Sequence, residues 1–182
     1  MDRDGTLNVQ VIREGLAYAP QSVAEFRLFP GVPKACRALH AAGYVLIVAT
    51  NQPDVGRGTQ SQGVIEAMHA ELRRLIPELA KVDVCYSPGL PGSPPDPRRK
   101  PEPGMLLEAA AEFNLDLTRS WMIGDRWRDI DCGHNAGVQT VFIDFHYAES
   151  LRAVPDFTVA SFAEAARIVL AHPEGRKLNS SH

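Results

Sequence analysis

The stretch that most constrains the fold is Tyr44-Val45-Leu46-Ile47-Val48-Ala49, a continuous apolar run that is partly β-branched. Nothing in it alternates, so it reads as a strand buried on both faces, the kind found in parallel sheets covered by helices. Parallel strands need crossovers, and the chain supplies them. Before the run, Gly31 to Ala42 carries Val32, Ala35, Cys36 and Leu39 at helical spacing, with Pro33 in the first turn and Gly43 placed to end it. After it, Ile65, Met68, Leu72, Leu75 and Ile76 form one helical stripe behind Thr59-Gln60-Ser61-Gln62, which has the form of a capping box. Lys81 to Tyr86 and Trp121-Met122-Ile123 read as strands, and Leu106, Ala109, Ala110 and Phe113 as a helix face. Residues 128–136 read as a helix closed by Gly137, and Val138 to Ile143 as the next strand. Phe157-Thr158-Val159 and a helix capped by Ser161 with Glu164 complete the pattern. The alternation predicts an α/β fold: a three-layer, doubly wound, Rossmann-like parallel sheet.

The 182 residues, 45% hydrophobic and without a break in composition, suit one domain, expected over residues 1–172 with a disordered tail at 173–182. A net charge of −3 and a pI near 6.1 disfavour nucleic acid as a partner. No apolar run approaches the ~20 residues of a membrane helix, and there is no secretory signal pattern. The expectation is a soluble, cytoplasmic monomer that meets no membrane. Cys36, Cys85 and Cys132 are odd in number and widely spaced, which argues against a disulfide framework.

Chemistry concentrates at Asp2-Arg3-Asp4-Gly5-Thr6. If Asp2 ends a strand, residues 2 and 4 project to one side while Gly5 lets the chain turn away. Thr50-Asn51-Gln52 and Gly124-Asp125 would end other strands at the same sheet edge, where ligands bind in such folds. Lys100 comes from the Pro-rich loop between Ser87 and Pro103. Three converging carboxylates repel one another unless a divalent cation intervenes, and hard oxygen donors suggest Mg²⁺. A hydroxyl, an amide and a lysine would compensate phosphoryl charge. The irregular stretch from Val9 to Phe29 is expected as a structureless loop flanking the substrate, a small phosphorylated metabolite.

Asp2-Arg3-Asp4-Gly5-Thr6-Leu7-Asn8, Thr50-Asn51-Gln52, Arg99-Lys100-Pro101-Glu102-Pro103-Gly104-Met105 and Gly124-Asp125-Arg126-Trp127-Arg128-Asp129 resemble, in order, the four motifs of the haloacid dehalogenase (HAD) superfamily. Within it they are most similar to the D-glycero-D-manno-heptose 1,7-bisphosphate phosphatases and the related histidinol-phosphate phosphatases. The resemblance implies a HAD-like phosphatase without a cap domain, with Asp2 as nucleophile and Asp4 as acid/base. Asp2, Asp4 (through its backbone carbonyl) and Asp125 would hold Mg²⁺, and Thr50 and Lys100 would stabilise the transferring phosphoryl group. Asn51, Gln52, Arg99 and Arg126 would contact substrate, Asn51 alternatively placing Asp4, while Asp129 would orient Lys100 or a metal-bound water. A histidinol-phosphate phosphatase, a polynucleotide 3′-phosphatase and a catalytically impaired phosphate-binding module are the rival readings.

Two departures from the family pattern shape these expectations. The relatives' zinc loop carries three cysteines and a histidine, whereas here Cys85 is followed by Ser87, Asp96 and Arg98, so no structural zinc is expected and prolines take over the stiffening of the loop. The apolar central strand that precedes the nucleophile is largely missing, with only Met1 ahead of Asp2. That implies either a true start upstream of Met1 or a shortened form whose Asp2 is weakly held.

Overall fold

The computed structural model describes residues 1–13 and 16–173; the tail expected to be disordered lies outside these, apart from Pro173. The elements run β1 (Val11–Arg13), β2 (Leu16–Tyr18), α1 (Val32–Ala41), β3 (Leu46–Asn51), the short α2 (Pro53–Gly56), α3 (Gln62–Leu75) and β4 (Leu79–Cys85). They continue α4 (Gly104–Phe113), β5 (Trp121–Gly124), α5 (Trp127–Ala136), β6 (Gln139–Ile143), β7 (Phe157–Val159) and α6 (Phe162–Ala171). β3 pairs parallel with β4, and β5, β6 and β7 form a parallel trio. The two sheets are joined through the first two residues. The Met1 nitrogen donates to Ile47 O (3.0 Å), Ala49 N–H to Met1 O (2.9 Å) and Asp2 N–H to Ile123 O (2.8 Å). Met1 and Asp2 therefore lie between β3 and β5, and a cavity of about 370 Å³ opens beside them, lined by Met1, Ile47, Ala49, Met105, Met122 and Ile123 among others.

Side-chain alternation sends Leu46, Val48 and Ile123 toward the layer made by α1, α3 and α6, and Ala49 and Met122 toward α4 and α5. The main core thus lies on one side of the sheet, where the stripe Ile65, Met68, Leu72 meets Val32 and Leu39. The three-layer α/β architecture matches the prediction. No described helix is long and apolar enough to cross a membrane.

Two local expectations are corrected. The stretch after the paired aspartates is not structureless, because β1 and β2 form an antiparallel hairpin in register Val11 to Tyr18. Strands of three residues are too short to reveal a period. Thr59 does not cap α3: its hydroxyl donates to Asp54 O (3.2 Å), in the turn after α2, and Ser61 takes the N-cap position without a side-chain bond. At α6 the anticipated cap forms, with Ser61's counterpart Ser161 accepting from Glu164 N–H at 3.3 Å. All three cysteines are free and buried. In the Pro-rich loop, Arg98 is ion-paired with Asp83 and Glu108.

Candidate active site

The backbone bond from Asp2 to Ile123 at the end of β5 brings Asp2 beside Asp125, and Gly5 makes the approach possible. Its φ of 80° lies in the left-handed region, and a Cβ there would collide with the Asp125 carboxylate. Asp125 lies in the connection directly after β5 and Asp129 in the first turn of α5, where Asp129 Oδ2 accepts from Arg126 N–H (3.1 Å). Asp2, Asp125 and Asp129 are all buried, with one carboxylate oxygen of each within 4.8 Å of the others. Lys100 answers part of this charge. Its ammonium sits 2.7 Å from Asp2 Oδ1 and 2.6 Å from Asp129 Oδ1.

The electrostatics follow from burial. Desolvation pushes the Asp2 carboxyl up to about 6 against the opposing pull of Lys100. Asp125 is raised well above the usual carboxylate range by burial and then by Asp2 and Asp129. Burial pulls the Lys100 pKa down, but Asp129 and Asp2 outweigh it and hold the ammonium charged. Arg126 Nε also lies 3.5 Å from Asp125 Oδ2 but is shared with Glu149, so the carboxylates still outnumber the cations beside them, and the donors are hard oxygens. This set fits a divalent cation such as Mg²⁺.

Asp4 lies in different surroundings. Arg3 donates to both its oxygens, at 2.8–3.2 Å. Asn8 Nδ2 donates to Oδ1 (3.0 Å) and Gln52 Nε2 to Oδ2 (2.7 Å). Burial would raise its pKa, yet Arg3 and these hydrogen bonds hold it below the ordinary value. Gln52 also donates to Thr50 Oγ1 (2.9 Å), so the buried Thr50 hydroxyl accepts there and keeps its own proton for another acceptor.

The predicted residues thus come together, with some reassigned in what they touch. Asn51 does not reach Asp4; its amide clasps the lysine loop, donating to Lys100 O (3.0 Å) and accepting from Lys100 N–H (3.1 Å). Gln52, expected at the substrate, is buried against Asp4 and Thr50. Arg99 is tied to Ser87 O (2.7 Å), while Arg126 lies over the Tyr147 ring (4.3 Å) and pairs with Glu149 (3.3 Å). Sequence reading missed Gln10 and Tyr147. Gln10 Nε2 donates to Asp125 Oδ2 (3.4 Å), and Tyr147 Oη donates to Gln10 Oε1 (2.5 Å). Gln10 follows the paired aspartates closely enough to have been considered; Tyr147 carries no local signal. Beside them a cavity of about 550 Å³ is lined by Asp125, Trp127, Asp144, His146 and Tyr147, among others.

A family model described as HAD-hydrolase-like matches residues 97–165, which hold Lys100, Asp125 and Asp129. The chain is 34% identical over 193 aligned positions to D-glycero-D-manno-heptose-1,7-bisphosphate 7-phosphatase of Thermosynechococcus vestitus, covering 94% of each protein. It is 33% identical to D-glycero-beta-D-manno-heptose-1,7-bisphosphate 7-phosphatase of Pseudomonas putida, covering 87% of this chain and 90% of that one. Its fold superposes with a TM-score of 0.75 on the D,D-heptose 1,7-bisphosphate phosphatase from B. bronchiseptica, solved with magnesium and phosphate. That match has 22% identity and covers 94% of this chain and 96% of the other.

Proposed function

We propose that this chain, which belongs to the HAD-like phosphatases, hydrolyses a heptose bisphosphate-like sugar phosphate through an aspartyl-phosphate on Asp2. The family makes it a phosphoric monoester hydrolase. The observation that carries the mechanism is the split between its two leading aspartates: Asp2 in a buried acidic cluster gripped by Lys100, Asp4 in a cradle of donors beside Thr50. The named relatives' substrate supports the choice of sugar.

In this reading Asp2 attacks phosphorus while Asp4 gives a proton to the departing ester oxygen. Asp4 then takes a proton from water as the water attacks the aspartyl-phosphate, which restores Asp2 and releases phosphate. Because its donors favour the carboxylate, Asp4 needs the negative charge of a bound phosphoryl group to hold the proton it first donates. Thr50 and Lys100 hold the phosphoryl oxygens, and Arg99 and Arg126 receive the rest of the substrate. Asp2, Asp125 and the Asp4 carbonyl would hold Mg²⁺, which when bound neutralises carboxylate and phosphoryl charge. A monomer working in the cytoplasm on a small metabolite completes the proposal, supported by the free, buried cysteines.

The test is phosphate release from a panel of phosphorylated metabolites with Mg²⁺, including heptose 1,7-bisphosphate and histidinol phosphate. The heptose bisphosphate is expected to give the highest kcat/KM, and Asp2→Asn to lower turnover by at least about 10³-fold. Equal release by the variant would sink the nucleophile assignment, and preference for histidinol phosphate would sink the substrate.

A further inference from the structure

Arg3 stands between the two catalytic aspartates, yet its side chain runs the other way, into the interior, and is 0% exposed. Its Nε and one terminal nitrogen grip the two oxygens of Asp4. The other terminal nitrogen, Nη1, lies 3.0 Å from Nε2 of His69, a buried residue of α3. A guanidinium has no acceptor and does not deprotonate, so Nε2 of His69 must accept. The imidazole is therefore neutral and carries its proton on Nδ1. That nitrogen faces Glu66 Oε2 at 3.6 Å, one turn back on α3, and the other Glu66 oxygen accepts from the Tyr86 hydroxyl. Burial, and next the Arg3 charge, pull His69 down to about 4, as an obligate acceptor requires.

We infer that His69 is a positioning residue for the reaction, fixing the Arg3 guanidinium and through it the plane of the Asp4 carboxyl. The inference rests on Asp4 acting as the acid/base. Nη1 is buried and needs a partner. Without the imidazole, the guanidinium must turn to find another acceptor or stay unsatisfied, and the two-pronged grip on Asp4 is lost with the turn. Glu66 and Tyr86 hold the imidazole from its far side, so a tether runs from the end of β4 through α3 to the acid/base. No part of it beyond Arg3 approaches the acidic cluster.

The experiment compares two substrates that differ in their need for a proton. Glycerol phosphate loses an alkoxide that must be protonated, whereas 4-nitrophenyl phosphate releases a stable anion. Because kcat/KM reports steps through departure of the leaving group, displaced Asp4 should lower it selectively for the alkyl ester. In the full chain with Mg²⁺, His69→Phe is expected to reduce kcat/KM for glycerol phosphate about 10- to 100-fold and for 4-nitrophenyl phosphate less than about 3-fold. His69→Gln, whose amide oxygen can accept from Arg3 while its NH₂ faces Glu66, should restore most of the loss. Asp4→Asn serves as reference: a parallel loss on both esters in that variant overturns the acid role itself. The split in Asp4→Asn but not in His69→Phe, or no rescue by glutamine, overturns the positioning role alone. Should His69→Phe fail to fold, ¹⁵N spectra of the wild-type histidines at neutral pH decide. An unprotonated, acceptor-type Nε2 on His69 with the selective loss in Tyr86→Phe supports the tether, and a protonated Nε2 or an even loss refutes it.

Discussion

The Asp2 side of the site and the Asp4 side are two residues apart in the chain and opposite in electrostatic design. Asp2 joins Asp125 and Asp129 beside one buried ammonium, that of Lys100, and the half-buried Arg126, which Asp125 shares with Glu149, so that side gathers more carboxylates than cations. Asp4 faces a guanidinium and two amides, so its charge is met in full. Burial is common to both, and the partners decide the direction each pKa takes. The first side is built to be completed from outside, the second to be finished by folding alone. A nucleophile that shares a cation and a proton carrier that must keep its geometry need those different supports.

Removing the buried cation should break the comparison most severely. Lys100→Met leaves Asp2 and Asp129 buried without compensation, and about 3–5 kcal/mol of stability is expected to be lost in denaturant titration, together with phosphatase activity. Any residual stability should recover partly on acidification, as the carboxyls protonate.

Asp125→Asn separates the two sides in sign. With chelator present the variant is expected to be more stable than the parent, by on the order of 1 kcal/mol, because a buried repulsion is gone. With Mg²⁺ present it should lose both the metal-induced rise in Tm and turnover. An equivalent substitution on the other side, Asp4→Asn, is expected to destabilise the chelated protein, because Arg3 loses its counter-charge. Thermal melts with and without Mg²⁺ measure both.

The pH dependence sharpens the contrast further. Asp2 has a folded pKa near 6 against an ordinary 3.8, so its contribution to stability is fully present below about 3.8 and is lost as pH rises through 6. His69 works against it, since a pKa lowered to about 4 costs stability as pH falls below 6.5. The cleaner quantity is a difference between proteins. In chelator, the stability of Asp2→Asn relative to the parent should grow as pH is raised from 4 to 7, whereas for Asp4→Asn the difference should be flat across that window, because the depressed Asp4 pKa places its titration below it.

The smallest effect belongs to Asn8. Asn8→Ala removes one of several donors to Asp4 and should cost about 0.5–1.5 kcal/mol, with a modest fall in turnover.

Much of this was legible before any coordinates. Leu46 to Ala49 of the apolar run do lie in β3, although Tyr44 and the exposed Val45 stand before it, and the helical neighbours and the later apolar runs set the α/β alternation. The four motifs located Asp2, Asp4, Thr50, Lys100 and Asp125 at one edge of the sheet, because strand ends are where such motifs must converge. Less accessible were the partners of polar side chains. Thr59 looked like the cap of a box closing on Gln62 and instead serves the turn after α2, since a local pattern says nothing of competing acceptors. Asn51 and Gln52 are adjacent, yet one clasps the Lys100 loop and the other orients Asp4 and Thr50. Alternation along β3 turns them to different sides, and only packing says what waits there.

By itself, then, the sequence determined the layered fold, the sheet edge that carries the site and the cast of charged groups, because periodicity and motif order are properties of the chain alone. Only the tertiary structure decided which charges face each other. It set Met1 and Asp2 between two sheets, brought Gln10 and Tyr147 to Asp125, and buried Arg3 against His69 across 66 positions of sequence. Charge pairing depends on distance and on exclusion of water, and neither exists until the chain has folded.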